Sequence, residues 1–287
     1  MIKKITTIIT LFILFCIFKK YSLISKSIIY SCNLFLNNIF PSLFPMFVIS
    51  SILMNLNFIE YINIFFRKIN KEIFKINSNE SYILFISIIS GCPSNAKTAK
   101  EMYDNKMIDK INIQKILLFS HFSNPLFIIA MVKHKTILVL ISHYISNFII
   151  GIITRNLYIS DNNYYNKKVI NNKKISVILF ESISNALNTL LFILGTIITF
   201  YVITSIINIP FFNVILELSQ GINYLSSMDI NIKLKTACLG SLLSFGGICI
   251  HFQVYGILNE LKLKYIPYLL SRISQALITA LIIFIFY

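Results

Sequence analysis

Apolar residues come in long blocks separated by short polar stretches, and they do not form narrow amphipathic stripes. A helix that crosses the hydrocarbon core of a bilayer needs about 20 consecutive apolar residues, and most of these blocks approach that length. The pattern therefore predicts an all-α fold, that of a polytopic α-helical membrane protein. The predicted apolar segments lie near residues 5–24, 28–58, 80–92, 111–132, 136–158, 176–208, 211–228, 236–258 and 265–287.

Composition supports a membrane class and leaves little room for a soluble domain. Of the 287 residues, 56% are hydrophobic and 13% are charged, about half the charged fraction of a soluble protein. We expect one integrated membrane domain, with an uncleaved first helix because no small-residue cleavage site follows the first apolar segment. Pro41 and Pro45 predict an interruption of the second segment.

The formal net charge of +15 is explained by Lys residues flanking helix ends at the cytoplasmic surface. Attraction of an anionic substrate is the alternative. The basic residues do not share one soluble face, so no nucleic-acid partner is expected. The five cysteines form no CxxC pair or zinc spacing, so neither a metal nor a cofactor is expected.

Motifs for covalent chemistry are missing from the sequence. It contains no HExxH, GxSxG or Walker loop, so we do not expect an enzyme. The remaining ionisable residues inside or near apolar segments look isolated or incidental: Glu60, Glu181, Glu217, His134 and His143.

Internal similarity predicts a duplication. "FVISSIL" resembles "YVITSII", the turn at Ser90 resembles the turn at Ser244, and "LLFSHFSNPLFI" resembles "YLLSRISQALIT", each about 150 residues apart and in the same order. Chance similarity of apolar sequence is the alternative. We predict two inverted membrane repeats over 1–133 and 134–287, with a polar inter-repeat loop at 158–176. Paired broken, re-entrant helices in such repeats indicate a transporter site.

The first predicted break, or elbow, is "SGCPSNAK". Gly91 permits a turn and Pro93 suits the first turn of a new helix. Ser94 or Asn95 would cap that helix, and Lys97 would add a charge near its N-terminus, which favours an anion. The alternative is an ordinary surface turn with Lys97 in water.

The second predicted elbow is "SFGGICIHFQ". Gly246 and Gly247 allow close backbone approach. His251 and Gln253 are polar residues in an apolar setting, so each needs a partner. A substrate is one such partner, and a neighbouring side chain is the alternative for His251.

A third pair of polar sequences is "SHFSNPL" and "SRISQAL". Arg272 is a charge inside an apolar run, and such charges are functional hypotheses because they are costly in a membrane. The alternative is that Arg272 extends to the membrane interface. His121 occupies the matching place in the first half, and Asn124 precedes a proline that would end a helix. We predict substrate contacts from His121, Ser123, Asn124, Arg272 and Gln275.

Four stretches, "FPSLFPMFVISSIL", "SGCPSNAKTAKEMY", "FSNPLFI" and "SFGGICIHFQV", resemble the YlbJ-type sporulation integral membrane proteins, also called stage V sporulation protein V. The resemblance covers nearly the whole length in order. It implies membership of the nucleoside-recognition Gate-domain group. It also implies a mother-cell protein of the outer forespore membrane that moves dipicolinic acid toward the forespore.

Two departures from the family pattern fall at expected substrate contacts. Asn95 stands where the family usually has glycine, and "SHFSNPLF" stands where it usually has a "CNNSGPLF"-like segment. Three hypotheses follow: a transporter of a small organic anion such as dipicolinate, a nucleoside or other small-metabolite permease, and a membrane scaffold without a transport cycle. The lipid bilayer is the expected partner, and the sequence assigns no protein partner.

Overall fold

The computed structural model describes residues 2–56, 58–158 and 173–287, and no strand occurs in these ranges. The all-α class is therefore confirmed. The predicted polar loop at 158–176 falls mostly outside the described residues. The predicted repeat boundary lies between the eighth and ninth helices, and the inverted relationship of the two repeats stays a prediction.

Eight helices of the described residues lie in the first half. A π-helical turn at Phe35–Ile39 joins the second helix to the third, so that Tyr21–Asn55 is one continuous helix. The helices are α1 (Ile2–Lys19), α2 (Tyr21–Leu34), α3 (Phe40–Asn55), α4 (Ile59–Ile73), α5 (Ser78–Ser90), α6 (Ser94–Asp104), α7 (Lys110–Leu117) and α8 (Pro125–Met131).

Seven helices of the described residues lie in the second half. A short 3₁₀ turn at Asn259–Leu261 precedes the last one. The helices are α9 (Thr136–Thr154), α10 (Ile175–Ile207), α11 (Pro210–Leu216), α12 (Leu218–Ser227), α13 (Ile232–Phe245), α14 (Gly247–Ile257) and α15 (Tyr265–Phe286).

Within the described residues, five helical runs are long and apolar enough to cross a membrane. Large apolar side chains such as Phe18, Ile137 and Phe180 are exposed along the long helices, as expected for surfaces that face lipid. The five runs are Tyr21–Asn55, Thr136–Thr154, Ile175–Ile207, Ile232–Ile257 and Tyr265–Phe286.

The expected interruption at Pro41 and Pro45 was wrong. Pro41 lies in the first turn of α3 and Pro45 lies within it, yet the helix continues. The π-helical turn directly before α3 widens the backbone there, and such turns commonly adjust the helical ladder beside prolines. The boundary predicted between the first two apolar segments was also wrong, because α2 runs through it.

Three other predicted segments are instead divided by breaks. The segment at 111–132 is interrupted between α7 and α8, the segment at 211–228 at Glu217, and the segment at 236–258 at Gly246. These breaks lie inside the protein, where α10 packs against α3 and α14, and α15 packs against α13 and α9.

The first elbow is a tight turn between α5 and α6, which pack against each other. Gly91 has φ +77°, and a Cβ there would lie 2.4 Å from the backbone nitrogen of Asn124. Only glycine meets both conditions. The expected cap was wrong: Pro93 occupies the N-cap position, and the amide of Asn95 donates to Ser120.

The second elbow separates α13 from α14. Gly246 and Gly247 have φ +86° and +70°. A Cβ on Gly246 would lie 2.4 Å from Nε2 of His121, and one on Gly247 would lie 3.1 Å from the backbone nitrogen of Leu218. The two glycines therefore let this elbow approach two other breaks in the chain, as their pairing predicted.

Candidate functional site

The break between α7 and α8 is a buried, non-helical segment, Leu118–Asn124, which we call the unwound segment. Six of its seven residues are at most 3% exposed, and Ser123 is 7% exposed. Its backbone polar groups cannot reach solvent, so each needs a partner inside the protein. Residues that are distant in sequence supply several of those partners.

Four hydrogen-bond partners of the unwound segment come from the first elbow and from α9. The Asn95 amide donates to Ser120 O at 3.0 Å and the Asn147 amide to His121 O at 2.8 Å. The backbone N–H of Cys92 donates to Phe122 O at 2.6 Å, and the N–H of Ser123 donates to Nε2 of His143 at 2.8 Å. The elbow and α9 therefore hold the unwound segment in place.

Arg272 of α15 provides a further contact, and it is completely buried. Its guanidinium donates to Leu118 O and to the side-chain oxygen of Gln275. No Asp or Glu of the described ranges forms an ion pair with it. The alternative of an arginine that extends to the interface is therefore wrong, because packing against the unwound segment keeps the side chain inside.

Asn124 connects the unwound segment to three elements at once. Its side-chain oxygen caps α8 by accepting from Leu126 N at 2.8 Å. Its amide donates to Ser90 O at 3.2 Å and to Ser42 O at 3.4 Å. The predicted break before Pro125 is confirmed, and the cap explains why the helix resumes there.

Three of the four histidines are held by neighbours. His121 contacts the Tyr268 hydroxyl at 2.8 Å, and His251 contacts Phe245 O at 2.8 Å and the Tyr265 hydroxyl at 3.0 Å. His143 was expected to be incidental, and that was wrong. It is fully buried, and it also contacts the Ser244 hydroxyl at 2.8 Å.

Lys97 lies under the protein surface, not in water. Its side chain is 9% exposed, and its Nζ is 3.9 Å from a carboxylate oxygen of Glu101 and 5.2 Å from the ring centroid of Phe47. Burial lowers the pKa of the Lys97 ammonium, and the Glu101 carboxylate opposes that shift. The nearby Ser94 hydroxyl is buried and has no hydrogen-bond partner in the described structure.

A cavity of about 60 Å³ lies between the two halves of the chain. A single water needs only about 10–15 Å³ by this measure, so the cavity has room for a small molecule. The apolar side chains of the lining, which we call its apolar wall, come from α3, α8, α10 and α14 and the π-helical turn: Ile39, Leu43, Phe127, Ile193, Ile197 and Ile250.

The other wall is polar. Four of the predicted site residues line it, namely Pro93, Ser123, Asn124 and Gln253. The amide of Gln253 donates to the Thr196 hydroxyl of α10 at 2.9 Å. The remaining predicted site residues do not line this cavity, and several of them support the unwound segment behind it.

Three helices of ten or more residues begin at the cavity. Pro93, Leu218 and Cys249 line it, and they lie within the first turn or at the N-cap of α6, α12 and α14, respectively. Helix N-termini carry unsatisfied N–H groups and the positive end of the helix dipole. The cavity therefore has three positive helix ends on its polar side.

Glu217 also lines the cavity, and sequence reasoning treated it as an isolated acid. It is 3% exposed, and its carboxylate caps α12 by accepting from Gln220 N at 2.8 Å. Burial raises the pKa of this carboxyl, opposed by hydrogen bonds from Gln220 and Ser219. A signal was available, because Glu217 interrupts an apolar run.

No protein-family model matches the chain, and no solved structure matches it significantly. Among curated proteins, the chain is similar to the sporulation integral membrane protein YlbJ of Bacillus subtilis (strain 168). The identity is 21%, and the alignment covers 85% of this chain and 73% of that protein. This likeness supports a relationship to sporulation membrane proteins in a general way.

Proposed function

We propose that the protein is a membrane transporter of a small organic anion, and that this anion is dipicolinic acid entering the forespore during sporulation. The observation that carries the proposal is the cavity between the two halves, bounded by broken helices. Broken helices whose N-termini meet inside a membrane protein are typical of substrate sites in transporters. A scaffold has no need of such a cavity.

The two walls of the cavity suit a flat aromatic acid. Ile193, Ile197 and Phe127 offer an apolar surface for a ring. The N-termini of α6 and α14 offer N–H donors for carboxylates, whereas Glu217 already caps that of α12. Dipicolinate is a small planar dianion with both features, so it would lie with its ring on the apolar wall and its charges toward the helix ends.

Arg272 and Lys97 would act differently from the residues that line the cavity. Arg272 holds Leu118 O, at the start of the unwound segment, whose other end, Ser123 and Asn124, lines the cavity. Lys97 lies on α6, whose start borders the cavity. Both cations add positive potential near an anion that enters a low-dielectric site. In this arrangement they position the cavity wall and attract the substrate.

A permease for nucleosides or other small metabolites, of the Gate-domain type, is the second candidate. Glu217 favours it, because a carboxylate in a cavity can accept hydrogen bonds from a neutral or cationic ligand. Competition separates the two candidates. Unlabelled dipicolinate should compete for uptake of labelled dipicolinate in vesicles, whereas nucleosides should not.

The cellular test compares dipicolinate in the mother cell and in the forespore, with and without the gene. Loss of the gene should leave synthesis intact, so dipicolinate accumulates in the mother cell and is depleted in the spore. Normal dipicolinate in the spore would remove the dipicolinate proposal and favour the metabolite permease. Loss from both compartments would indicate synthesis or regulation, and would count against transport.

The proposed location is the outer forespore membrane of a spore-forming bacterium. The five helices long and apolar enough to span a membrane, and the likeness to a sporulation integral membrane protein, support an integral membrane protein. Fluorescent fusions imaged during sporulation would test the finer location. Signal confined to the vegetative cell membrane would contradict it.

A further inference from the structure

Of the residues that the structure describes, Glu217 is the one acidic residue that lines the cavity. It is the N-cap residue of α12. The side chain of Gln220, one turn later, donates to the Thr204 hydroxyl at 2.7 Å and so ties the start of α12 to α10. Among the residues that the structure describes, no Lys, Arg or His forms an ion pair with Glu217. The carboxylate therefore has hydrogen bonds but no counter-ion.

A bound anion would create a charge conflict at this position. The start of α12 is one of the three helix ends that face the cavity, and Glu217 already occupies it. A second carboxylate in the same small, low-dielectric cavity would lie close to the first. Two carboxylates that share such a site cannot both stay ionised, so binding of the second favours protonation of the first.

We infer that Glu217 is the proton-binding group that couples transport to a proton gradient, an inference that rests on the proposed organic-anion transport. One proton binds to a carboxylate oxygen of Glu217 when the anion enters the cavity. The same proton leaves on the opposite side of the membrane when the anion leaves. A dicarboxylate and one proton then move together, with a net charge of −1.

The other titratable groups that face Glu217 do not serve as the proton-binding group in its place. Each is a phenol or a thiol, and these are neutral near pH 7 in ordinary surroundings. Among the described residues, no other charged side chain lines the cavity beside it. The facing groups are Tyr201 on α10 with Tyr30 of α2 behind it, Cys249 on α14, and Cys92 at the first elbow.

The test uses the full-length protein in liposomes, with labelled dipicolinate and a clamped membrane potential. Acidifying the external side by about one pH unit should raise the accumulation ratio of the wild-type protein about tenfold, because one coupled proton contributes that factor per unit. Glu217→Gln should lose this dependence. The control Glu260→Gln, at an exposed carboxylate, should retain it.

Calorimetry provides a second measurement that needs no variant. Dipicolinate binding to the wild-type protein, measured in buffers of different ionisation enthalpy, should show uptake of about one proton. Gradient-driven accumulation by Glu217→Gln would overturn the inference. Dipicolinate counterflow by the wild-type protein without proton uptake would overturn the coupling and leave transport standing. A wild-type protein that neither binds nor moves dipicolinate would overturn the proposed substrate, and the coupling with it.

Discussion

The unwound segment, Leu118–Asn124, and its sequence counterpart, residues 269–275, have different backbones. The first leaves the helical conformation completely, whereas the second lies within the continuous helix α15. Related sequences therefore have opposite roles. The helical copy supplies Arg272 and Gln275, and Arg272 donates to the backbone of the unwound copy.

The difference has a local and a tertiary cause. Pro125 has no backbone N–H, and Asn124 before it caps the new helix α8. The counterpart of Pro125 is Ala276, which continues a helix without penalty. The tertiary cause is the set of side chains that satisfy the unwound backbone. The comparison teaches that two similar sequences of one chain can adopt different backbones when one of them stabilises the other.

The largest expected effect comes from removing Arg272. Arg272→Ala leaves Leu118 O unsatisfied in a buried place and empties the space of the largest fully buried side chain. We expect a loss of about 3–5 kcal/mol in the free energy of unfolding in detergent micelles, because an unsatisfied buried carbonyl costs about 1–3 kcal/mol and the emptied space adds a cavity cost. Lys133→Ala, at an exposed cation, is the control. An Arg272→Ala protein as stable as the control would mean that the unwound segment does not depend on α15.

The next largest effect is expected in α15, the helix that contains residues 269–275. Ala276→Pro would place proline in the middle of α15, where it removes a helical hydrogen bond and clashes with the carbonyl of Arg272 four residues earlier. The expected loss is about 3 kcal/mol. Ala276→Ser keeps the N–H and should cost only about 0.5 kcal/mol. Equal stability of the two variants would show that a helix is not required at this position.

A smaller effect is expected at the first elbow. Gly91→Ala should lower the free energy of unfolding by about 1–3 kcal/mol. The reason is that φ is positive at this position and the new Cβ would clash with the backbone of Asn124. Gly195→Ala is the matched control, since a Cβ at Gly195 has no neighbour within 4 Å. That variant should be stabilised by about 0.5–1 kcal/mol. Denaturation of both proteins measures the difference, and a neutral Gly91→Ala would contradict the close approach.

The smallest effect separates the local cause from the tertiary one. Pro125→Ala gives the position after the unwound segment the same residue as its counterpart in α15, Ala276. We expect a loss under about 1 kcal/mol, because a proline in the first turn only restricts the unfolded chain. Amide exchange of residues 118–124 should stay unchanged. Conversion of these residues to helix, seen as altered protection, would show that proline alone causes the break.

Much of the fold could be predicted because its signals are local. Long apolar blocks predicted the membrane helices, and Gly91 with Pro93 and Gly246 with Gly247 predicted the two elbows. Asn124 before Pro125 predicted the third break. Each of these residues acts on its own backbone, so sequence position is sufficient.

The site was harder to predict because its contacts join distant residues. His143 looked incidental in a helix, yet its partners are Ser123 and Ser244. Glu217 looked isolated because nothing in the sequence shows that α12 begins at a cavity. The helical state of α15 could not be inferred from its broken relative, since packing decides between the two.

Transport of dipicolinate through the cavity is the central claim, and one measurement tests it most directly. Uptake of labelled dipicolinate is compared in liposomes that contain the wild-type protein, Ile197→Trp or Leu191→Trp. Both residues lie on α10, but Ile197 lines the cavity and Leu191 is 64% exposed. Uptake by Ile197→Trp should fall at least about tenfold, equivalent to roughly 1.4 kcal/mol, while Leu191→Trp transports like the wild-type protein. No uptake by the wild-type protein, or equal uptake by the two variants, would contradict the account.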